Sequence, residues 1–147
     1  MKLFIKHFEE LSNKELLDII KLRISVFVVE QKCPYQEVDE YDDKAIHLYL
    51  KDNDEIVAYA RALPKGCTYD EVSIGRVISI RRKMGLGTRI VKEAIEIAKK
   101  EFDASSIKIG AQVYVKKMYE DCGFVVISDE YLEDGIPHMD MLLTLKG

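Results

Sequence analysis

A chain of 147 residues, 48% apolar and 33% charged, is long enough to bury a full core and is most simply one domain spanning residues 1–147. Its 22 basic against 26 acidic residues leave a net charge of −4, which argues against a general nucleic-acid footprint. No apolar run is long enough to cross a bilayer, and the charged, alternating N-terminus is not that of a signal peptide, so no membrane partner is expected.

Cys33, Cys67 and Cys122 are an odd, widely spaced set without a C-x-x-C pair. That suggests neither a zinc site nor a disulfide framework, and fits a reducing, cytoplasmic setting. In chain order, Lys2 to Phe8 alternates as a short strand. Ser12 then caps a helix, with Glu15 three residues on completing a capping box, and apolar positions recur at helical spacing to about Val29, interrupted by Arg23. Glu30 to Asp43 breaks the pattern and carries six acidic residues, Glu30, Glu37, Asp39, Glu40, Asp42 and Asp43. It is expected to be a loop whose negative rim attracts a cationic substrate such as an amine, although acidic loops also serve simply as solvated surface. Asp39, Asp42, Asp43 and His47 lack a recognisable ligand spacing, so no metal site is expected.

Ala45 to Lys51 and Glu55 to Leu63 are strands joined by the turn Asp52-Asn53-Asp54. After the turn Pro64-Lys65-Gly66, Val72 to Ile80 is a long strand, followed by Arg82-Lys83-Met84-Gly85-Leu86-Gly87-Thr88 and then a helical pattern from Ile90 to Phe102. A strand, a glycine-bearing turn and a helix present unpaired N–H groups to an anion, because the first turn of a helix has free donors and the positive end of its dipole. The turn lacks the G-x-x-x-x-G-K-[ST] spacing of a nucleotide-binding phosphate loop. Ser106 to Ala111 is a strand, Gln112 to Cys122 a helix stopped by Gly123, Phe124 to Ile127 a strand, Glu133-Asp134-Gly135 a turn, and His138 to Leu145 a final strand. The order β-α-β-β-β-α-β-α-β-β predicts an α/β fold with a mixed sheet flanked by helices.

Several of these separated features line up with a known family. Arg82-x-x-Gly85-x-Gly87 at a strand-to-helix junction, and Gln112, Tyr119 and Gly123-Phe124 downstream, resemble the GNAT superfamily of acyl-CoA-dependent N-acetyltransferases. The polar residue at position 112 is more often Asn there. Phe27-Val28-Val29-Glu30-Gln31, Cys33 to Asp39, His47, Gly75-Arg76-Val77 and Glu133 to His138 are similar to the superfamily's ElaA-like branch, and the resemblance covers nearly the whole chain.

The resemblance implies a splayed central sheet, with acetyl-CoA as cosubstrate and no metal. The pantetheine arm would pair with the backbone of Val77, Ile78 and Ser79, with Gln112 contacting the same arm. The pyrophosphate would sit on the N–H groups of Lys83, Met84, Gly85, Leu86, Gly87 and Thr88, beside the charges of Arg82 and Lys83. Tyr119 would protonate the leaving thiolate as general acid. Glu30, His47 and His138 remain three candidates for the base that deprotonates an acceptor amine, a small molecule or peptide. Transfer of an acetyl group to a primary amine by direct attack in a ternary complex is the expected activity. The alternative is a non-catalytic acyl-CoA-binding module with the same fold. A monomer or a homodimer is expected, the latter by pairing of the strand from His138 to Leu145.

Overall fold

Ser12 starts the first helix as its spacing predicts. In the computed structural model, which describes residues 1–145, the Glu15 N–H donates to Ser12 Oγ at 3.1 Å and the Ser12 N–H donates to Glu15 Oε1 at 2.8 Å. Two donors that helix geometry leaves unpaired are thereby satisfied. The helix α1 runs over Asn13–Ile24 and then widens into a π turn, Ser25–Glu30, where the Cys33 N–H reaches the Val28 carbonyl at 3.0 Å. Together these occupy the single helix expected to Val29. A π turn inserts an extra residue and re-aims the side chains that follow it.

One sheet contains all eight strands of the described residues: β1 Lys2–His7, β2 Ile46–Asp52, β3 Glu55–Leu63, β4 Val72–Ser79, β5 Ser106–Gln112, β6 Val125–Val126, β7 Tyr131–Glu133 and β8 Ile136–Thr144. Their spatial order is β1-β2-β3-β4-β5-β8-β6, with β7 also paired to β8, and every pair is antiparallel except β4 with β5. Strand β3 is buried from Ile56 to Leu63 because helices cover both faces of the sheet. On one face α2, Leu86–Phe102, packs Ile90, Val91, Ala94 and Ala98 against it. On the other, Ile19 of α1 meets Tyr49, Tyr59 and Ile78. Ile19 and Ile90 are both fully buried, and each side chain so removed from water contributes about 1.5–3 kcal/mol.

The feature that positions the site is a fork. β4 and β5 pair only at Val72 with Ile107 and at Ser73 with Lys108, and then diverge. A bulge lies at the parting: Arg76 and Val77 together oppose Ala60, and Arg76 takes a left-handed φ of +53°. An extra residue on one strand bends it and increases its twist, which swings the end of β4 away from β5.

Two expectations about the elements change. Gln112 to Cys122 is not one helix: β5 extends through Gln112, which pairs with His138, and α3 occupies only Lys116–Asp121 after a 3₁₀ turn over Val113–Val115. The strand expected from Phe124 to Ile127 is reduced to two residues, while Tyr131–Glu133 forms a strand that the sequence pattern does not announce. β8 pairs with β5 along one edge and with β6 and β7 over Ile136–His138, Met141 and Leu142 on the other.

Candidate active site

Between β4 and α2, Lys83 (φ +62°) and Gly85 (φ +68°) turn the chain through left-handed conformations. No side chain caps α2, and its first internal bond is from the Arg89 N–H to the Gly85 carbonyl at 3.0 Å. The N–H groups of Leu86, Gly87 and Thr88 are therefore left unused by the helix at its positive end. Arg81 is tied to Asp52 and Glu55. Arg82 and Lys83 stand exposed with no ion pair among the described residues. A Cβ at Gly87 would lie 2.9 Å from Met118 Sδ, so a larger residue there would displace the Met118 side chain.

Leading up to this turn, β4 bonds to β3 with Ile78 opposite Tyr59 and Ser79 opposite Ala58. In an antiparallel pair alternate backbone groups face away from the partner, and here they face the fork. Val77, Ile78, Ser79 and residues 82–88 thus make one strip from an open strand edge to an uncapped helix start. That strip fits an extended, amide-bearing arm ending in a pyrophosphate.

At the fork lies a cavity of about 400 Å³. Its walls include Val77 from β4, Gln112 from β5, Tyr119 from α3, Phe27 from the π turn and Glu133 and His138 from the β7–β8 hairpin. Tyr119 is 7% exposed and packs edge-to-face on Phe124, with centroids 5.8 Å apart. Its hydroxyl makes no hydrogen bond among the described residues, and burial pushes its pKa well above the usual phenol value. Gln112 exchanges long amide contacts of 3.4 Å with Gln31, which closes the π turn.

The three base candidates separate clearly. Glu30 is exposed at the end of the π turn and does not border the cavity. His47 is sealed: its Nδ1 meets the Tyr59 hydroxyl at 2.6 Å and its Nε2 the Asp42 carbonyl at 3.0 Å. Burial lowers its pKa although the Asp42 carbonyl works against that. It is a structural histidine, not a base that a substrate can reach. His138 is 7% exposed and forms part of the cavity wall, with Nδ1 2.7 Å from the Ile136 carbonyl.

The acidic loop also changes meaning. Glu37 and Asp42 are buried, and with Asp39 they face three arginines. Arg23 meets both Glu37 carboxylate oxygens at 3.1 and 3.0 Å and Asp42 at 2.6 and 3.1 Å. Arg61 is bidentate on Asp39 at 2.8 and 2.7 Å, and Arg76 reaches Glu37 at 2.7 Å. Half of the expected negative rim, Glu37, Asp39 and Asp42, is therefore neutralised within the protein, while Glu30, Glu40 and Asp43 stay exposed, and Asp39, Tyr35 and Tyr41 border the cavity. The signal for this network is the arginine interrupting the apolar stripe of α1, and a second one inside the buried strand β3. A charge at a core position needs an opposite charge from elsewhere. Among the described residues no group of three or more His, Cys, Asp or Glu is arranged to hold a metal ion.

Comparison with known proteins agrees with this geometry. Residues 11–145 match the acetyltransferase (GNAT) domain family. A UPF0039 protein of Schizosaccharomyces pombe is 47% identical over 144 residues, 95% of each chain. Protein ElaA of Escherichia coli is 37% identical over 139 residues, covering 92% of this chain and 91% of its own. The crystal structure of E. coli ElaA matches 97% of this chain and 99% of that one at 35% identity, with a TM-score of 0.90. That of an acyl-CoA N-acyltransferase from Pseudomonas aeruginosa matches 98% and 100% at 37% identity, with a TM-score of 0.89. With a forked mixed sheet and an uncapped helix at the fork's mouth, the chain belongs to the GNAT acetyltransferase family, in its ElaA-like branch.

Proposed function

We propose that the protein is an N-acetyltransferase that moves an acetyl group from acetyl-CoA to a primary amine by direct attack in a ternary complex. The observation carrying this reading is that one cavity meets Val77 and Tyr119 on the side of the open β4 edge and His138 on the other. Acetyl-CoA, when bound, supplies the thioester carbonyl and the thiolate leaving group. The backbone of Val77, Ile78 and Ser79 and the amide of Gln112 hold its arm, while the N–H groups of Lys83 to Thr88 and the charges of Arg82 and Lys83 hold its pyrophosphate.

A carbonyl oxygen only accepts, so the contact of His138 Nδ1 with the Ile136 carbonyl keeps the proton on Nδ1 of the neutral ring. The lone pair is left on Nε2, which takes a proton from the acceptor ammonium. The freed nitrogen attacks the carbonyl carbon, the C–S bond breaks, and Tyr119 gives its phenolic proton to the sulfur. Burial keeps that phenol protonated through neutral pH. A second proton leaves the new C–N nitrogen and restores Tyr119, and the third remains on the amide. The three cysteines are unpaired, which suits a cytoplasmic setting.

Incubating the protein with acetyl-CoA and a panel of primary amines, and following free thiol, tests this reading. The panel spans a diamine, an aminoglycoside, a peptide N-terminus and a lysine peptide. Thiol release should depend on the acceptor. Release at one rate whether or not an amine is present would sink the proposal.

A further inference from the structure

Three carboxylates border the cavity, Asp39, Glu133 and Asp134. Asp39 is already held by both terminal nitrogens of Arg61, with Arg76 beside it at 3.4 Å. Glu133 is not compensated in this way. The side chain facing it among the described residues is the imidazole of His138, whose Nε2 lies 3.5 Å from Glu133 Oε2, and the Glu133 side chain is 60% exposed at the rim.

The hairpin builds this pair. Tyr131 faces His138 directly across the strands, and Glu133, two residues on, lies diagonal to His138 on the same face. Asp134 (φ +51°) and Gly135 (φ +78°) close the loop in two residues, a turn that keeps the strands in tight register. The Tyr131 ring stacks on the imidazole at 6.1 Å, and its hydroxyl donates to Asp140 Oδ1 at 2.6 Å. The ring is thus held on one face by Tyr131 and at Nδ1 by the Ile136 carbonyl. His138 is more than nine-tenths buried, yet its Nε2 makes no hydrogen bond among the described residues. Unlike the sealed Arg61 Nε and Arg76 Nε, this nitrogen is open, and its lone pair can accept from an N–H in the cavity.

We propose that Glu133 is the acceptor-docking residue: its carboxylate and His138 Nε2 together receive the ammonium of a cationic primary amine. Selection for a protonated acceptor then resides on the β7–β8 hairpin and not on the loop of residues 30–43. This rests on the reading of His138 as the base. One ammonium N–H donates to Glu133 and another to Nε2. Transfer of the second proton breaks that N–H bond, forms Nε2–H, and leaves the lone pair on the acceptor nitrogen. Glu133 then faces an imidazolium at 3.5 Å in place of the ammonium.

The test compares wild type, E133Q and H138Q with acetyl-CoA and two acceptors, an alkyl diamine that is cationic at neutral pH and hydroxylamine, which is not. The quantity read is the ratio of kcat/KM for the diamine to that for hydroxylamine. E133Q should lower this ratio about tenfold, the scale of losing a hydrogen bond to a charged group, while E133D should recover part of it. H138Q should depress turnover with the diamine, whose ammonium must lose a proton before attack, and should spare hydroxylamine, whose nitrogen already carries its lone pair. A ratio unchanged in E133Q overturns the docking role, and so does a loss shared equally by both acceptors. If H138Q retains full turnover with the diamine while E133Q still shifts the ratio, the base reading falls and the docking role stands. Wild type that acetylates neither acceptor sinks both. Glu133 is exposed, so the thermal midpoint of E133Q should match wild type, which separates docking from folding.

Discussion

Burial decides which side chains with reactive chemistry can meet a substrate. His47 and His138 both sit in strands, and nothing in their immediate sequence separates them. The difference comes from distant partners. Tyr59 and the Asp42 carbonyl occupy both nitrogens of His47, whereas His138 has one nitrogen held and the other turned to the cavity wall. Tyr119 is more legible, because its spacing to Gly123-Phe124 places it one turn before the end of a helix. The contact with Phe124 explains that spacing: the chain reverses at Gly123 (φ +101°), and the Phe124 N–H returns to the Tyr119 carbonyl at 3.1 Å. Replacing Tyr119 with phenylalanine would keep the edge-to-face packing and remove only the hydroxyl with its proton. Y119F is therefore expected to lower kcat on the order of 10²-fold while still binding acyl-CoA. Stopped-flow transfer assays alongside equilibrium CoA binding check this. Unchanged kcat would assign the acid elsewhere, and a protein that only binds acyl-CoA would have no turnover to lose.

Elements are most legible in the sequence where the hydrophobic period is strong and least where strands are short. α2 carries its amphipathic signature openly, and its buried residues Ile90, Val91, Ala94, Ile95 and Ala98 lie on the face that this pattern marks. Tyr131–Glu133 cannot be read this way, because three residues do not establish an alternation and only pairing with β8 makes them a strand. Gln112 reads as helical for the same reason in reverse, since its place in the ladder is set by His138 on a strand far along the chain. At the mouth of the fork, Gly87 joins the strength of α2 to the site. An alanine there would gain helix propensity of up to about 1 kcal/mol but would press its Cβ against Met118 Sδ at 2.9 Å. Met118 borders the cavity beside Tyr119, and its flexible side chain would yield before the backbone does. G87A is accordingly expected to change unfolding stability by less than about 1 kcal/mol and to raise KM for acetyl-CoA, measured by urea unfolding and initial rates. A variant that unfolds early with normal KM would contradict this.

At the scale of the whole molecule, the arginine–carboxylate network binds the loop of residues 30–43 to α1 and the sheet, and it sets how the protein responds to acid. Arg23 is 1% exposed and satisfies Glu37 and Asp42 together. R23M would leave two buried carboxylates short of a partner, and a loss of about 3–5 kcal/mol is expected in urea unfolding. The same region predicts two stages of acid destabilisation. Burial lowers the His47 pKa below its usual 6.5, so the unfolded ring binds a proton more readily than the folded one. The stability that His47 confers is thus complete above about 6.5 and is lost as pH falls through the folded value. For Asp42, burial alone would raise the pKa from 3.8, but the hydrogen bonds from Arg23 and the charges of Arg23 and Arg61 outweigh it and hold it at about 2. Its contribution is complete above 3.8 and is lost as pH falls through about 2. The urea midpoint of wild type should therefore begin to fall below about 6.5 and fall again below 3.8. H47Q should be less stable at neutral pH, because the hydrogen bond to Tyr59 is altered, yet its first decline should be shallower and its second unchanged. A first decline as steep in H47Q as in wild type would place the neutral-to-acid sensitivity on another group.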